Sequence, residues 1–188
     1  EIVGCDWSSD VCSSDLARAR DYRSAITWLT QAGIATRVPR VSKPGVPLSA
    51  YADESAFKLF SLDVGLLCAL SRLDASSIVD GNALFTEFRG ALTEQYVCQQ
   101  LVSDCNLSPC YWSAENSRGE VDFLVQRGGR VYPIEVKAEE NLRSKSLRAF
   151  SGRYPGTVPR RFSLSGFCDQ GWMRNVPLYA IGNSGSWD

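Results

Sequence analysis

The stretch GEVDFLVQRGGRVYPIEVKA, residues 119–138, holds the side chains whose types and spacing best suit catalysis: Asp122, then Glu135 and Lys137 two positions apart. Gly128-Gly129 is a favoured two-residue turn, because both central positions of a type I′ turn need positive φ. Pairing Arg127 with Arg130 across that turn sets the register. Val125 then opposes Tyr132, Phe123 opposes Ile134 and Val121 opposes Val136, an apolar face bound for a core. The other face carries Asp122 against Glu135 and Glu120 against Lys137. Like charges directly opposed across a ladder, with Cβ atoms roughly 5 Å apart, are destabilising. A bound cation, a raised carboxylate pKa or the neighbouring Lys137 must offset that repulsion.

The chain has no histidine, which excludes histidine-based zinc sites, Ser-His-Asp triads and Cys-His dyads. Oxygen ligands without histidine favour a hard cation, Mg²⁺ or Mn²⁺. Metal-assisted phosphodiester hydrolysis needs carboxylates to hold the metal, and a lysine to orient the attacking water or meet the developing charge. Glu94 is the best candidate for a third carboxylate. It lies in mid-helix with Gly90, Ala91, Val97, Cys98 and Leu101 on nearby turns, a half-apolar flank on which an unpartnered glutamate is costly. Glu87, seven residues earlier on a similar face, is its rival. A structural ion-pair cluster on an exposed sheet face would use the same Asp122, Glu135 and Lys137, and spacing alone does not separate the two.

The elements that must position these residues follow from periodicity. Arg18 to Ala32 reads as a helix with Tyr22, Ile26 and Leu29 on one stripe and Gly33 as its stop. IATRVPRV is a strand, SKPGVP a turn and LSAY a second strand; helix, strand and turn-linked strand resemble the second half of a winged helix. FKLFSLDVGLLCALSRL is a short strand running into a helix from about Asp63 to Arg72, with Asp63 as N-cap. After a loop at 74–82, a long helix from about Ala83 to Ser103 carries Phe85, Phe88, Leu92 and Tyr96 on one stripe. A strand begins near Tyr111. Beyond the hairpin come a helix from about Asn141 to Gly152 and two strands, RRFSLSGF and VPLYAIG.

The chain has 188 residues, 44% hydrophobic and 22% charged, with net charge −1. That is globular composition, and it argues against a protein that coats nucleic acid over its whole surface. Local basic segments exist. Residues 17–50 carry six basic side chains against Asp21, and the span Lys137 to Arg161 carries seven against Glu139 and Glu140. Arg143, Lys145 and Arg148 in the latter span are candidates to grip phosphates, and a solvated helix face would look the same. No run of 18 uncharged apolar residues spans a membrane. Seven cysteines show no CxxC pair, and Cys68 and Cys98 sit in apolar helical patterns, so a reduced, cytoplasmic setting is expected. Residues 1–16, with WSSDVCSSDL and no initial Met, look like a translated sequencing adaptor, a non-native leader to a truncated gene.

GEVDFLV, ten further residues and then IEVKA, with GALTEQYV on a preceding helix, resembles the core of the PD-(D/E)xK nuclease superfamily. FKLFSLDVGLLCAL, EFRGALTEQYVCQQL, YWSAENSRGEVDFLV and YPIEVKAEENLRSKSLRAF, in that order, resemble the domain of unknown function at the C-terminus of prokaryotic AAA-type P-loop ATPases. The resemblance implies an α/β, restriction-endonuclease-like mixed sheet flanked by helices at 61–182, a partial winged-helix segment before it at 17–60, and a tail at 183–188. It implies Asp122 and Glu135 as metal carboxylates, Lys137 as the catalytic lysine and Glu94 as the helix glutamate. The leading "PD" is Val121-Asp122 here, a departure the superfamily tolerates. The ATPase module that precedes this domain in the family is missing, since the chain has no GxxxxGK[ST].

The expected function is therefore that of a nuclease-like domain of a truncated AAA-type ATPase, DNA-associated, with Mg²⁺- or Mn²⁺-dependent phosphodiester hydrolysis. The alternative is a catalytically inactive DNA-binding or protein-docking domain serving the ATPase.

Overall fold

The computed structural model of the chain describes residues 22–73, 86–114, 119–138, 144–183, 185 and 187. The leader at 1–16, Arg18 and Arg20, the loop at 74–82, the first residues of the expected long helix, the side chain of Glu87, and Arg143 lie outside the described residues.

Among the described residues four α-helices accompany one eight-stranded mixed sheet, a mixed α/β fold. The helices are α1 (Arg23–Gln31), α2 (Val64–Leu70), α3 (Thr86–Ser103) and α4 (Lys145–Arg153). The strands are β1 (Ala35–Val41), β2 (Ala52–Ser61), β3 (Cys110–Ser113), β4 (Glu120–Arg127), β5 (Arg130–Lys137), β6 (Arg160–Ser163), β7 (Cys168–Asp169) and β8 (Arg174–Pro177), in spatial order β2-β1-β3-β4-β5-β6-β8-β7. β1, the strand expected from IATRVPRV, pairs with β2, which begins only after LSAY, and the two are the outermost pair of this same sheet, joined to it where Arg40 pairs in parallel with Tyr111.

Two cores cover the two faces. On one, α3 places Val97, Cys98 and Leu101 against Val38, Phe60, Tyr111, Phe123, Val125, Tyr132, Ile134 and Val136. On the other, Leu147 and Phe150 of α4 pack on Val41, Cys110, Trp112, Val121, Leu124 and Val131. Burial of thiols in these cores pushes Cys98 up to about 12 and Cys110 up to about 11, which leaves both protonated and chemically inert. No helix among the described residues is long and apolar enough to cross a membrane.

Several local expectations are corrected. LSAY is a 3₁₀ turn (Leu48–Tyr51) rather than a strand, entered from Pro47, where proline favours a turn over a ladder position. VPLYAIG leaves the sheet at Pro177 and continues as a second 3₁₀ turn, Leu178–Ala180. The helix expected from Asn141 is described from Lys145. Asp63 does cap α2, accepting from the Leu66 amide at 2.7 Å.

Candidate active site at the fork of the β4–β5 hairpin

Gly128 and Gly129 adopt φ of +57° and +73°, and the hairpin pairs Arg127 with Arg130, Val125 with Tyr132 and Phe123 with Ile134, as the turn chemistry requires. There the β4–β5 ladder stops. β4 continues alongside β3, through Trp112↔Val121 and Ser113↔Glu120, while β5 continues alongside β6, through Glu135↔Arg161 and Lys137↔Ser163. The sheet forks between the two strands, and the fork opens at Asp122.

The cause is a bulge. Cys110 pairs with Leu124 and Trp112 with Val121, so Asp122 and Phe123 together oppose Tyr111 alone, the two-against-one arrangement of a β-bulge. Strict alternation would place Val121 on the same face as Phe123. Instead Val121 joins the α4 core with Leu124, and Phe123 joins the α3 core. The expected opposition of Val121 and Val136 is therefore absent, and the Val136 amide donates to Asp122 Oδ2 at 2.7 Å. The aspartate is tied to the backbone of β5 rather than set opposite Glu135 in the ladder.

Asp122 stands among Glu94, Lys58 and Glu120. Burial and then the Glu94 charge push its carboxyl up to about 7, against the Val136 hydrogen bond and Lys58. Burial likewise raises Glu94, opposed by Lys58 and Lys137. Lys58, from β2, is held charged by Glu94 and Glu120 in spite of its burial. Its Nζ is ion-paired with Glu120 and lies 5.2 Å from the centroid of the Tyr111 ring. The expected neighbour of Glu120 was Lys137; its partner is Lys58, brought across the sheet by the fold.

Glu135 and Lys137 form the second half of the site. Tyr132, Ile134 and Val136 of β5 lie in the α3 core, so the intervening Glu135 and Lys137 stand on the opposite face. Glu135 is 8% exposed, its Oε1 is 3.0 Å from Lys137 Nζ, and its Oε2 is buried without a hydrogen-bond partner. Beside it in register on β6 is Arg161, fully buried, whose Nε donates to Asn175 Oδ1 at 2.8 Å and whose guanidinium also reaches Ser144 Oγ. Lys137 links the halves, paired with Glu135 and acting electrostatically on Glu94.

α3 is held over the fork by polar residues that periodicity did not mark. Gln95, 2% exposed, accepts from the Ser61 amide at 2.9 Å and donates to the Ser61 carbonyl at 2.8 Å, and Gln99 accepts from Val64 N. These bonds fix Glu94 relative to β2, and so to Lys58. Of the candidate phosphate-gripping residues, Lys145 is exposed, Arg148 is exposed with its guanidinium 5.5 Å from the Trp172 ring centroid, and Arg143 lies outside the described residues.

The donor chemistry fits a hard divalent cation: only carboxylates are offered, two of them are disfavoured as anions by their burial, and Glu135 leaves a buried oxygen unused. Among the described residues, no three His, Cys, Asp or Glu side chains are already gathered as a metal shell.

A family model described as a domain of unknown function (DUF4143) matches residues 89–165, the span that contains all but the first turn of α3, the hairpin and α4. A second, also of a domain of unknown function (DUF8612), matches residues 6–77, beginning inside the stretch expected to be a leader. The chain is similar to each over less than half of its length. No curated protein matches it. One solved structure, "Crystal structure of protein VC1899 from Vibrio cholerae", aligns with 90% of this chain at 12% identity and a TM-score of 0.31, and the chain spans 43% of that protein's length.

Proposed function

We propose that the chain is the nuclease-like C-terminal domain of an AAA-type ATPase, with a restriction-endonuclease-like core that hydrolyses phosphodiester bonds in DNA at the β4–β5 fork. The observation that carries this reading is the Asp122 carboxyl, half-buried beside Glu94 and pushed up to about 7 at a break in the sheet. Two acids that destabilise each other at a break in a sheet mark a site tuned for something other than stability. Association with an ATPase is supported by the DUF4143 match, a domain commonly found with AAA ATPases.

In this reading Asp122, Glu94 and Glu135 supply the anionic oxygens. Mg²⁺ or Mn²⁺, when bound, supplies Lewis-acid polarisation of the phosphodiester and activation of water. Lys137, paired with Glu135, is placed to orient the attacking water and to meet charge developing on phosphate oxygens. Arg161, beside Glu135 in register on the neighbouring strand, acts on it electrostatically. The test is nicking of supercoiled plasmid with Mn²⁺. Wild type is expected to nick, and Lys137→Ala to lose about 10²–10³-fold, the scale of removing one electrostatic stabiliser. Equal rates in both would sink the assignment.

A second reading has its own observation. Lys58 already supplies a positive charge beside Glu94, Glu120 and Asp122. On that basis the cluster is a self-neutralised structural group in an inactive DNA-binding or docking domain, which predicts neither nicking nor saturable cation binding.

A further inference from the structure

The tip of the β4–β5 hairpin lies at the other end of these strands from the fork, five residues along β4 from Asp122 to Arg127, or roughly 17 Å of extended chain. Beside it is an open cleft of ≈ 470 Å³. Its wall is built from three separated segments: 43–51 between β1 and β2, the turn at 129–131, and 153–157 after α4. Each contributes one cation, Lys43, Arg130 and Arg153, and no carboxylate lines the cleft.

That charge is uncompensated in a chain whose net charge is −1. Five cations elsewhere are paired: Arg37 with Glu54, Arg40 with Asp53, Lys58 with Glu120, Lys137 with Glu135 and Arg174 with Asp169. Among the described residues Lys43, Arg130 and Arg153 enter no ion pair. Two are held by rings instead, with Lys43 Nζ 4.8 Å from the Tyr51 centroid and Arg153 Cζ 5.4 Å from that of Tyr154. Tyr51 is seated in turn against Gly45, where an added Cβ would come within 2.0 Å of the ring. Cation–π contacts orient a charge without neutralising it, and a concave, apolar-walled site focuses the resulting field.

We propose that this cleft binds the phosphodiester backbone of nucleic acid. Three cations on separate segments around an open cleft suit a run of phosphates better than one enclosed ion. The rings already carry cations, so the contact is to phosphate and independent of base sequence. The site is distinct from the fork and binds whether or not the fork holds a metal.

The test is fluorescence anisotropy of a labelled DNA duplex with the full chain, without divalent metal, over a range of salt. Arg130→Gln/Arg153→Gln is compared with Arg23→Gln/Arg89→Gln, which removes the same charge from exposed positions elsewhere, after both are shown to melt like wild type. If Arg153→Gln disturbs the fold, Lys43→Gln/Arg130→Gln replaces it. The cleft pair is expected to weaken binding about tenfold or more and to lower the slope of log K against log salt by about 2, the contribution of two phosphate contacts, with the control near wild type. The comparison is made without divalent metal and reads binding rather than cleavage, so loss of the fork assignment leaves this result standing. Equal behaviour of cleft and control pairs overturns the proposal. So does displacement of the duplex by inorganic phosphate, which makes the cleft a single-anion site, or by polyglutamate as readily as by unlabelled DNA, which makes it an acidic-peptide site.

Discussion

Asp122 is held close to neutrality because burial and Glu94 both oppose its charge, and the Val136 amide and Lys58 offset only part of this. An unfolded aspartate titrates at 3.8 and the folded one at about 7, so the folded state holds the proton more tightly. The resulting stability is complete below the unfolded value and is lost as pH rises through the folded one. Asp122→Asn keeps an acceptor for Val136 N and removes the charge. It is expected to stabilise the metal-free protein by a few kcal/mol at about pH 8, since each pH unit separating the folded and unfolded titrations is worth roughly 1.4 kcal/mol. Near pH 4 it is expected to do little, and urea midpoints at the two pH values read the difference. Lys58 works in the opposite sense, its side chain 14% exposed and paired with Glu120. Lys58→Met is expected to destabilise by roughly 3 kcal/mol, the scale of leaving buried partners uncompensated. Adding Glu94→Gln to that background should recover part of the loss in the same unfolding assay, and an unchanged midpoint for Lys58→Met would exclude the counter-ion role. Sequence marked Asp122 as a candidate and left Lys58 unmarked. Its partner is 62 positions away, and a lysine between Phe57 and Leu59 signals only a strand.

The hairpin shows how far an element can be read before its neighbours intervene. Gly128-Gly129 alone dictates the register from Arg127↔Arg130 to Phe123↔Ile134. Gly128→Ala is expected to cost about 1–2 kcal/mol, because an L side chain resists positive φ, and Gly128→Asn clearly less, since asparagine is favoured at this turn position. Thermal melts of the two variants compare them directly, and equal losses would mean the turn is not type I′-like. Beyond Phe123 the same reasoning fails. Alternation within β4 carries no information about β3, and it is the two-against-one pairing with Tyr111 that turns Val121 to the far face and opens the fork. The stripe expected on α3, Phe88, Leu92 and Tyr96, is only half-buried, and the buried side is the neighbouring flank of Val97, Cys98 and Leu101. The docking of Gln95 on the Ser61 backbone was silent, because a glutamine in a helix reads as surface until a strand end is brought to it.

At the scale of the whole molecule, the composition and element order were enough for a mixed α/β sheet, but not for its extent. β1 and β2, read as part of a winged helix, extend the sheet beyond β3 and deliver Lys58 to a site whose other members come from α3, β4 and β5. Local periodicity finds such strands, whereas their place in the sheet depends on the parallel contact of Arg40 with Tyr111, 71 positions apart in the chain. The carboxylates of the fork thus come from three elements and are served by two lysines from opposite flanks, Lys58 and Lys137. The central claim is that this assembly is a site for a hard divalent cation. The most direct measurement is calorimetric titration of Mn²⁺ and Mg²⁺ into wild type and Asp122→Asn. Saturable binding by wild type, accompanied by proton release near neutral pH and lost in Asp122→Asn, is the predicted result. No saturable heat in wild type, or equal binding in both proteins, would contradict it and leave the fork as a structural ion cluster.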